Sequence, residues 1–281
     1  MSAEEGGRAI QDLTGKVAVV TGAGSGIGRA LAERFAAEGM KLVVADVEAE
    51  ALARTEATLS SRGAEVLAVQ LDVLQPEQIE ALAERTYATF GAAHVVCNNA
   101  GVVAAGGKPS WEETPEDWEW VLGVNLWGVI HGVRAFVPRM LAGGAEGHIV
   151  NTASVAGLIT SPGMGPYCVS KFGVVALSET LHQELSMQGA KLRVSVLCPA
   201  WVNTRISDSE RNRPTALGPA HEPSAQETAM LDIVRGLVAS GLPPARIADI
   251  VLEAIREERL HILTHPDFLP LVRQRMEGIL A

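Results

Sequence analysis

Two residues four apart, Tyr167 and Lys171, have the types and spacing to move a proton. On a helix that spacing puts both side chains on one face. A free tyrosine, with a pKa of about 10, is a poor base at neutral pH. A neighbouring ammonium favours the phenolate and lowers that value, the direction general acid–base chemistry requires. By itself such a pair is a weak signal, because most pairs of this kind on helices do no chemistry. A second feature lies near the start of the chain, in Thr21-Gly-Ala-Gly-Ser-Gly-Ile-Gly28. Gly22, Gly26 and Gly28 allow a tight turn and close approach of the backbone to a pyrophosphate, and a helix beginning there aims free N–H groups and its positive end at the anion.

These groups need elements to carry them, and the chain alternates strand and helix patterns throughout. Residues 1–12 read as a loose tail. Short β-branched runs at 16–21, 41–46, 66–73, 94–98, 148–152, 192–198 and 261–264 read as strands. Helical patterns cover 27–38, 48–61, 76–90, 167–187 and 245–258, and a terminal helix closes the chain. Thr114, Pro115, Glu116 and Asp117 form a helix start for one long apolar helix reaching about residue 140, and Ser224 with Glu227 forms a capping box before another. Alternation of this kind predicts an α/β fold: a Rossmann-type, doubly wound parallel sheet of about seven strands with helices on both faces. No linker interrupts it, so residues 1–281 are expected to form a single domain, with 203–240 as a lid region in which 203–223 is irregular and rich in charge and proline.

In such a sheet ligands bind outside the C-terminal strand ends, where the strand order switches. The glycine turn follows the first strand, as that rule requires. Asp46, eighteen residues beyond Gly28 at the end of the second strand, can accept hydrogen bonds from adenosine ribose hydroxyls and repel the extra phosphate of NADP. It could equally end a strand and cap the following helix. Val47 and Ser25 put no cation where a 2′-phosphate would be read, so NAD is expected over NADP.

The net charge of −10 disfavours a nucleic-acid partner. Cys97, Cys168 and Cys198 form no CxxC pair and read as reduced, partly buried thiols in a cytoplasmic protein. No His/Cys group has metal-ligand spacing. The N-terminus lacks a signal-peptide pattern, and the uncharged stretch 147–170 carries too many prolines, glycines and polar residues to read as a membrane helix, so no membrane partner is expected.

With these motifs in order, the sequence resembles the short-chain dehydrogenase/reductase family in its compact single-domain branch. The resemblance rests on three residues between Gly22 and Gly26, Asn98-Asn-Ala-Gly101 after the fourth strand, Asn125 in the long helix, Ser154 after the fifth strand, Tyr167-x-x-x-Lys171 thirteen residues later, and Pro199-Ala-Trp-Val-Asn-Thr204 after the sixth. It is close over residues 13–204 and looser beyond. It implies hydride transfer between NAD(H) and a secondary alcohol or ketone. Tyr167 would exchange the substrate proton, Ser154 would hold the substrate oxygen, Lys171 would reach the nicotinamide ribose, and Asn125 would help hold a proton-carrying water chain. It further implies cofactor contacts from Gly22, Ser25, Gly26, Ile27, Gly28, Asp46, Asp72, Val73, Asn99, Val202 and Thr204, with Asp72 and Val73 near the adenine. One departure stands out: Ala200 occupies a position that is usually glycine, which would shift the loop bearing Val202 and Thr204.

The expected substrate walls, 102–107, 155–164 and 201–223, are largely small and apolar, which favours a hydrophobic or aromatic substrate. Arg205, Arg211 and Arg213 in the lid could meet a substrate carboxylate or face water. Trp201 could line the site, while Trp111, Trp118, Trp120 and Trp127 read as core or interface. Members of the family pair the helices at 117–140 and 167–187, so a homotetramer or homodimer is expected. Three other readings compete: a non-catalytic NAD(H)-binding sensor or scaffold, an NADPH-dependent carbonyl or acyl-chain reductase, and a nucleotide-sugar epimerase. The intact Ser154, Tyr167 and Lys171 speak against the first. Asp46 and the acidic charge speak against the second. Only about eighty residues follow the sixth strand, which speaks against the third.

Overall fold

Seven short runs dominated by Val, Ile, Leu and Ala become parallel strands: β1 (Val17–Thr21), β2 (Lys41–Asp46), β3 (Val66–Gln70), β4 (Val95–Asn98), β5 (Gly147–Thr152), β6 (Leu192–Cys198) and β7 (His261–Leu263). Their order across the sheet is β3-β2-β1-β4-β5-β6-β7, so the winding reverses between β1 and β4. β1, β4 and β5 are buried along their whole length, as a parallel sheet covered on both faces demands. The computed structural model describes residues 10–104, 107–218 and 224–281. Residues 1–9 of the expected tail, 105–106 of the expected substrate wall and 219–223 of the expected lid lie outside the described residues.

Nine α-helices flank the sheet among the described residues: α1 (Gly26–Ala37), α2 (Ala49–Ser61), α3 (Pro76–Phe90), α4 (Pro115–Leu122), α5 (Gly128–Gly143), α6 (Gly165–Met187), α7 (Ala225–Ala239), α8 (Pro244–Arg256) and α9 (Leu269–Leu280). One face is covered by Leu31 and Phe35 of α1, Leu52 and Leu59 of α2, and Val251 and Ile255 of α8. The other is covered by Ile79 and Leu82 of α3, Val121 of α4, Phe136 of α5, and Leu181 and Leu185 of α6. The stretch Pro115–Gly143 has the length and hydropathy to cross a membrane, but its Trp120, Val121, Phe136 and Met140 belong to this second core.

The structure departs from the sequence reading in three places. The single long helix is two, joined by a π-helical turn at Gly123–Trp127 that contains Asn125. The third strand stops at Gln70, and Asp72 forms a turn in which its Oδ1 accepts from the Leu74 amide at 3.0 Å. The tail is not loose at its end: Ile10 and Leu13 are buried in the core beside α8, and Gln11 donates to the Arg256 carbonyl at 3.0 Å.

His148 of β5 is the most acid-sensitive group in this core. Ser195 Oγ donates to the Arg259 carbonyl at 2.6 Å, so His148 Nε2 must donate in the 2.7 Å bond to Ser195 Oγ, and the ring is neutral. Burial, reinforced by the nearby Arg193 charge, pushes its pKa down from 6.5 to about 3. The unfolded chain therefore binds the proton first as pH falls, and stability present above pH 6.5 is lost between 6.5 and 3. His148→Gln should flatten that acid limb, which amounts to about 3–5 kcal/mol at full extent. Urea unfolding at stepped pH checks it: an acid limb of the same slope in the variant would assign the loss to other groups.

Candidate active site

The reversal between β1 and β4 opens a crevice at their C-terminal ends, and polar side chains stitch its floor. Thr21 Oγ1 accepts from the Asn99 and Ala100 amides at 3.0 and 3.2 Å, and Asn99 Nδ2 donates to the Thr21 carbonyl at 3.0 Å. Thr152 of β5 donates to Asn99 Oδ1 at 3.2 Å. Asn99 thus ties three strand ends together. Above this floor, the glycine turn leaves room for a ligand backbone. A Cβ at Gly28 would lie 2.1 Å from the Gly22 carbonyl oxygen, and one at Gly26 would press against the Thr204 methyl at 3.0 Å. Ser25 caps α1 without a side-chain hydrogen bond, so the first amides of α1 are available to an anion. Ile27 packs under the turn against the core. A cradle closed to any larger side chain, at a helix N-terminus, fits the pyrophosphate of a dinucleotide.

Asp46 sits at the outer end of the crevice. Its Oδ2 accepts from the Gly24 amide at 2.7 Å and its Oδ1 from the Glu48 amide at 2.9 Å, while burial raises its pKa. Each oxygen keeps a lone pair for a ribose hydroxyl. Asp72 is held in its own turn, and Val73 is buried beside the π-helical turn.

Ser154 follows β5 and caps a short 3₁₀ turn, Val155–Gly157. Its Oγ donates to the Pro199 carbonyl at 3.2 Å and accepts from the Ala156 amide at 3.1 Å. Ser154 also lies close enough to the Tyr167 oxygen to favour its ionised form. The Lys171 ammonium lies 5.5 Å from the Tyr167 ring centre and donates to the Thr152 carbonyl at 3.0 Å. Ser154, Tyr167 and Lys171 are therefore assembled from β5 and the first turns of α6.

The electrostatics correct one expectation. The ammonium was to lower the tyrosine, yet burial pushes Tyr167 up to about 12, with only Ser154 opposing it. Burial also pulls Lys171 down to about 8. Both effects follow from placing ionisable groups in a dry crevice, where the uncharged form is favoured. Without the positive charge of an oxidised nicotinamide, the phenol stays protonated.

Asn125 is fully buried, and its side chain bonds the Val102 amide and carbonyl at 2.8 and 2.9 Å and Ser170 Oγ at 3.2 Å. Its side chain fixes the loop after β4 against α6. The π-helical turn shifts pairing to i→i+5, and such turns recur at functional sites. A Cβ at Gly123 would meet the end of the Leu74 side chain at 2.4 Å, so Leu74 packs directly on this turn.

The loop after β6 crosses the crevice as a strap. Val202 pairs with Leu242, and Thr204 meets the glycine turn. Val103 donates its amide to Ser209 Oγ at 3.2 Å, and Arg213 pairs with Asp117 at 2.8 Å with both side chains nearly buried. Arg211 pairs with Glu48 at 2.7 Å. Arg211 and Arg213 thus meet protein carboxylates, whereas Arg205, 3.8 Å from Glu48, has its side chain 52% exposed to water. Ala200 takes no left-handed backbone conformation, and its amide donates to His265 Nδ1 at 3.2 Å, so the departure at this position is accommodated. Trp201 lines a hollow of about 210 Å³ with Leu237, Ser240, Gly241, Leu242 and His265, and none of Asn125, Ser154, Tyr167 and Lys171 shares it. Glu48 and His265 were missed by the sequence reading, because nothing local marks a partner 163 or 65 residues away.

Residues 16–215 match the family model for short chain dehydrogenases, and the chain belongs to that family. It catalyses hydride transfer between NAD(P) and alcohol or ketone substrates, acting on CH–OH groups. A short chain dehydrogenase/reductase from Burkholderia phymatum, solved in complex with NAD, is 50% identical and superposes with a TM-score of 0.93, covering 96% of each chain. A CLA biosynthesis dehydrogenase/reductase of Lactiplantibacillus plantarum is 33% identical over 97% of this chain and 96% of its own length. A 1-deoxy-11-beta-hydroxypentalenate dehydrogenase of Streptomyces exfoliatus is 36% identical over 95% of this chain and 89% of its own.

Proposed function

We propose that the protein is an NAD-dependent dehydrogenase of uncharged, apolar secondary alcohols and their ketones. The observation that carries the substrate reading is the fate of the lid cations: Arg211 is bonded by Glu48 and Arg213 by Asp117, and only the half-exposed Arg205, 3.8 Å from Glu48, keeps contact with water, so the strap turns its two less exposed cations away from a substrate anion. The walls that remain, Val102, Ala104 and Leu158 among them, are apolar. Preference for NAD is supported by Asp46 at the ribose corner and by the NAD complex of the Burkholderia relative.

When bound, the nicotinamide accepts or gives the hydride. Tyr167 transfers the substrate proton through its hydroxyl, and Ser154 Oγ, 3.2 Å from the Pro199 carbonyl, holds the substrate oxygen beside it. Lys171 anchors the nicotinamide ribose and keeps positive charge near the phenol. A homo-oligomer is proposed with it, supported by the exposed Trp127 and Val169 on the helical surfaces expected to pair. The test is reduced-cofactor formation over a panel of secondary alcohols with NAD+ and NADP+ in parallel, with sedimentation of the same samples. Turnover of aryl or long-chain secondary alcohols with NAD+ is expected. Preference for polyols or hydroxy acids, or for NADP+, would overturn the corresponding half of the reading, and a monomer the assembly.

A further inference from the structure

The Asp46 corner contains a second carboxylate whose partners come from the strap. Glu48 Oε1 accepts from Arg211 Nη2 at 2.7 Å, from Arg211 Nε at 3.0 Å and from Asn212 Nδ2 at 3.1 Å. Arg205 Nη1 stands 3.8 Å from Glu48 Oε2. The Glu48 amide donates to Asp46 Oδ1, so the two acids share one turn. The strap therefore delivers two guanidinium groups to the corner where a ribose 2′-substituent would lie. The Arg211 charge is felt at Asp46, where it opposes the upward push of burial. Formal charges here balance: Asp46 and Glu48 against Arg205 and Arg211. Remove one carboxylate, and two planar donor forks that suit phosphate oxygens face the ribose edge with a net positive charge.

We infer that Glu48 is a second cofactor-specificity residue, which rejects NADP by occupying Arg211 and Arg205 that would otherwise bind its 2′-phosphate. The inference rests on the NAD reading and deepens it. Asp46 acts by repulsion alone, whereas Glu48 both repels and consumes the donors. A change at Asp46 alone therefore leaves the arginines tied and gives an incomplete switch. Glu48 also fastens the strap, so its loss weakens both nucleotides together through the shared cradle. Only the difference between them reports specificity.

The test is direct titration of NADH and NADPH, followed by nicotinamide fluorescence, on the wild type, Glu48→Gln and Glu48→Gln/Arg211→Gln. Glutamine keeps the size and an acceptor oxygen for Arg211 while removing the charge. The ratio of the NADPH to the NADH dissociation constant cancels any common loosening. In Glu48→Gln that ratio should fall about fivefold at low salt, and less as salt rises. In the double variant it should return toward the wild-type value. An unchanged ratio in Glu48→Gln, or an equal fall in the double variant, would overturn the inference. The wild-type titrations are read separately: equal affinity for both nucleotides, or none for either, would overturn the NAD reading itself and the inference with it.

Discussion

Replacing Tyr167 with phenylalanine should lower kcat for alcohol oxidation by about 10³-fold while leaving NADH binding within about twofold, since the loss is of a positioned proton-transfer group. The ring stays, so its packing 5.5 Å from the Lys171 ammonium survives; what goes is the one hydroxyl that Ser154 orients. The cofactor cradle and Asp46 lie on β1, β2 and α1 and do not depend on that hydroxyl. Initial rates in both directions together with NADH titration check it. A variant keeping a tenth of the activity would remove Tyr167 from the proton-transfer role. The pH dependence has a definite sign. With the phenol held up to about 12 in the free protein, the base form needed for oxidation becomes more available as pH rises, so oxidation should gain toward alkaline pH and reduction should lose. Above about pH 8 Lys171 gives up its charge, and the gain in oxidation should then slacken.

The second large effect is expected at the far end of the strap. Arg213 and Asp117 form a 2.8 Å pair with side chains 6% and 8% exposed, and the guanidinium also lies 5.3 Å from the Trp120 ring centre. Removing one partner of a buried pair leaves the other uncompensated, at a cost of about 3 kcal/mol. Asp117 also accepts from Thr114 as the acid of the α4 capping box, so Arg213→Met should disturb the start of α4 as well as release the strap. We expect a lower urea midpoint together with a raised KM for the alcohol. The double variant Arg213→Met/Asp117→Asn should recover part of the stability, because the buried Asp117 charge goes with its partner and only the longer 3.7 Å contact of Arg213 with the more exposed Glu210 is lost, but not the KM, because the strap is still unfastened. Full recovery of both would mean that the pair serves stability alone. A single variant as stable as the wild type would mean that the pair contributes nothing.

Much of this architecture was legible because it is written in local patterns. β-branched runs of five to seven residues bounded by turn residues read as strands buried on both faces, and the glycine turn between β1 and α1 announces itself by residue type. The helix start at Thr114 and the capping box at Ser224 are both formed where the sequence places them, and Thr114 proves to close a capping box with Asp117 as well. The π-helical turn at Asn125 was not legible, because apolar periodicity runs unbroken across it. Leu74 and Val73 pack against Gly123 and Gly128 at its two ends, a contact between segments about fifty residues apart that no local pattern records.

The sequence by itself determined the strand–helix order, the winding of the sheet, the cradle for a pyrophosphate and the identity of the residues that meet at Ser154, Tyr167 and Lys171. Spacing along one helix or one turn is enough for the elements, the cradle and the Tyr167–Lys171 pair, whereas Ser154 was placed with them by the family resemblance. Tertiary structure alone decided the protonation of the site and the allegiance of the lid. Burial reversed the shift expected for Tyr167, because desolvation depends on everything packed around a group and on no single neighbour. Chain folding carried Arg211 to Glu48 and Arg213 to Asp117, and so turned cations that a linear reading left open to substrate or water into fastenings of the strap. Opposite charges find each other through space, and the separations of 163 and 96 residues have no local signature.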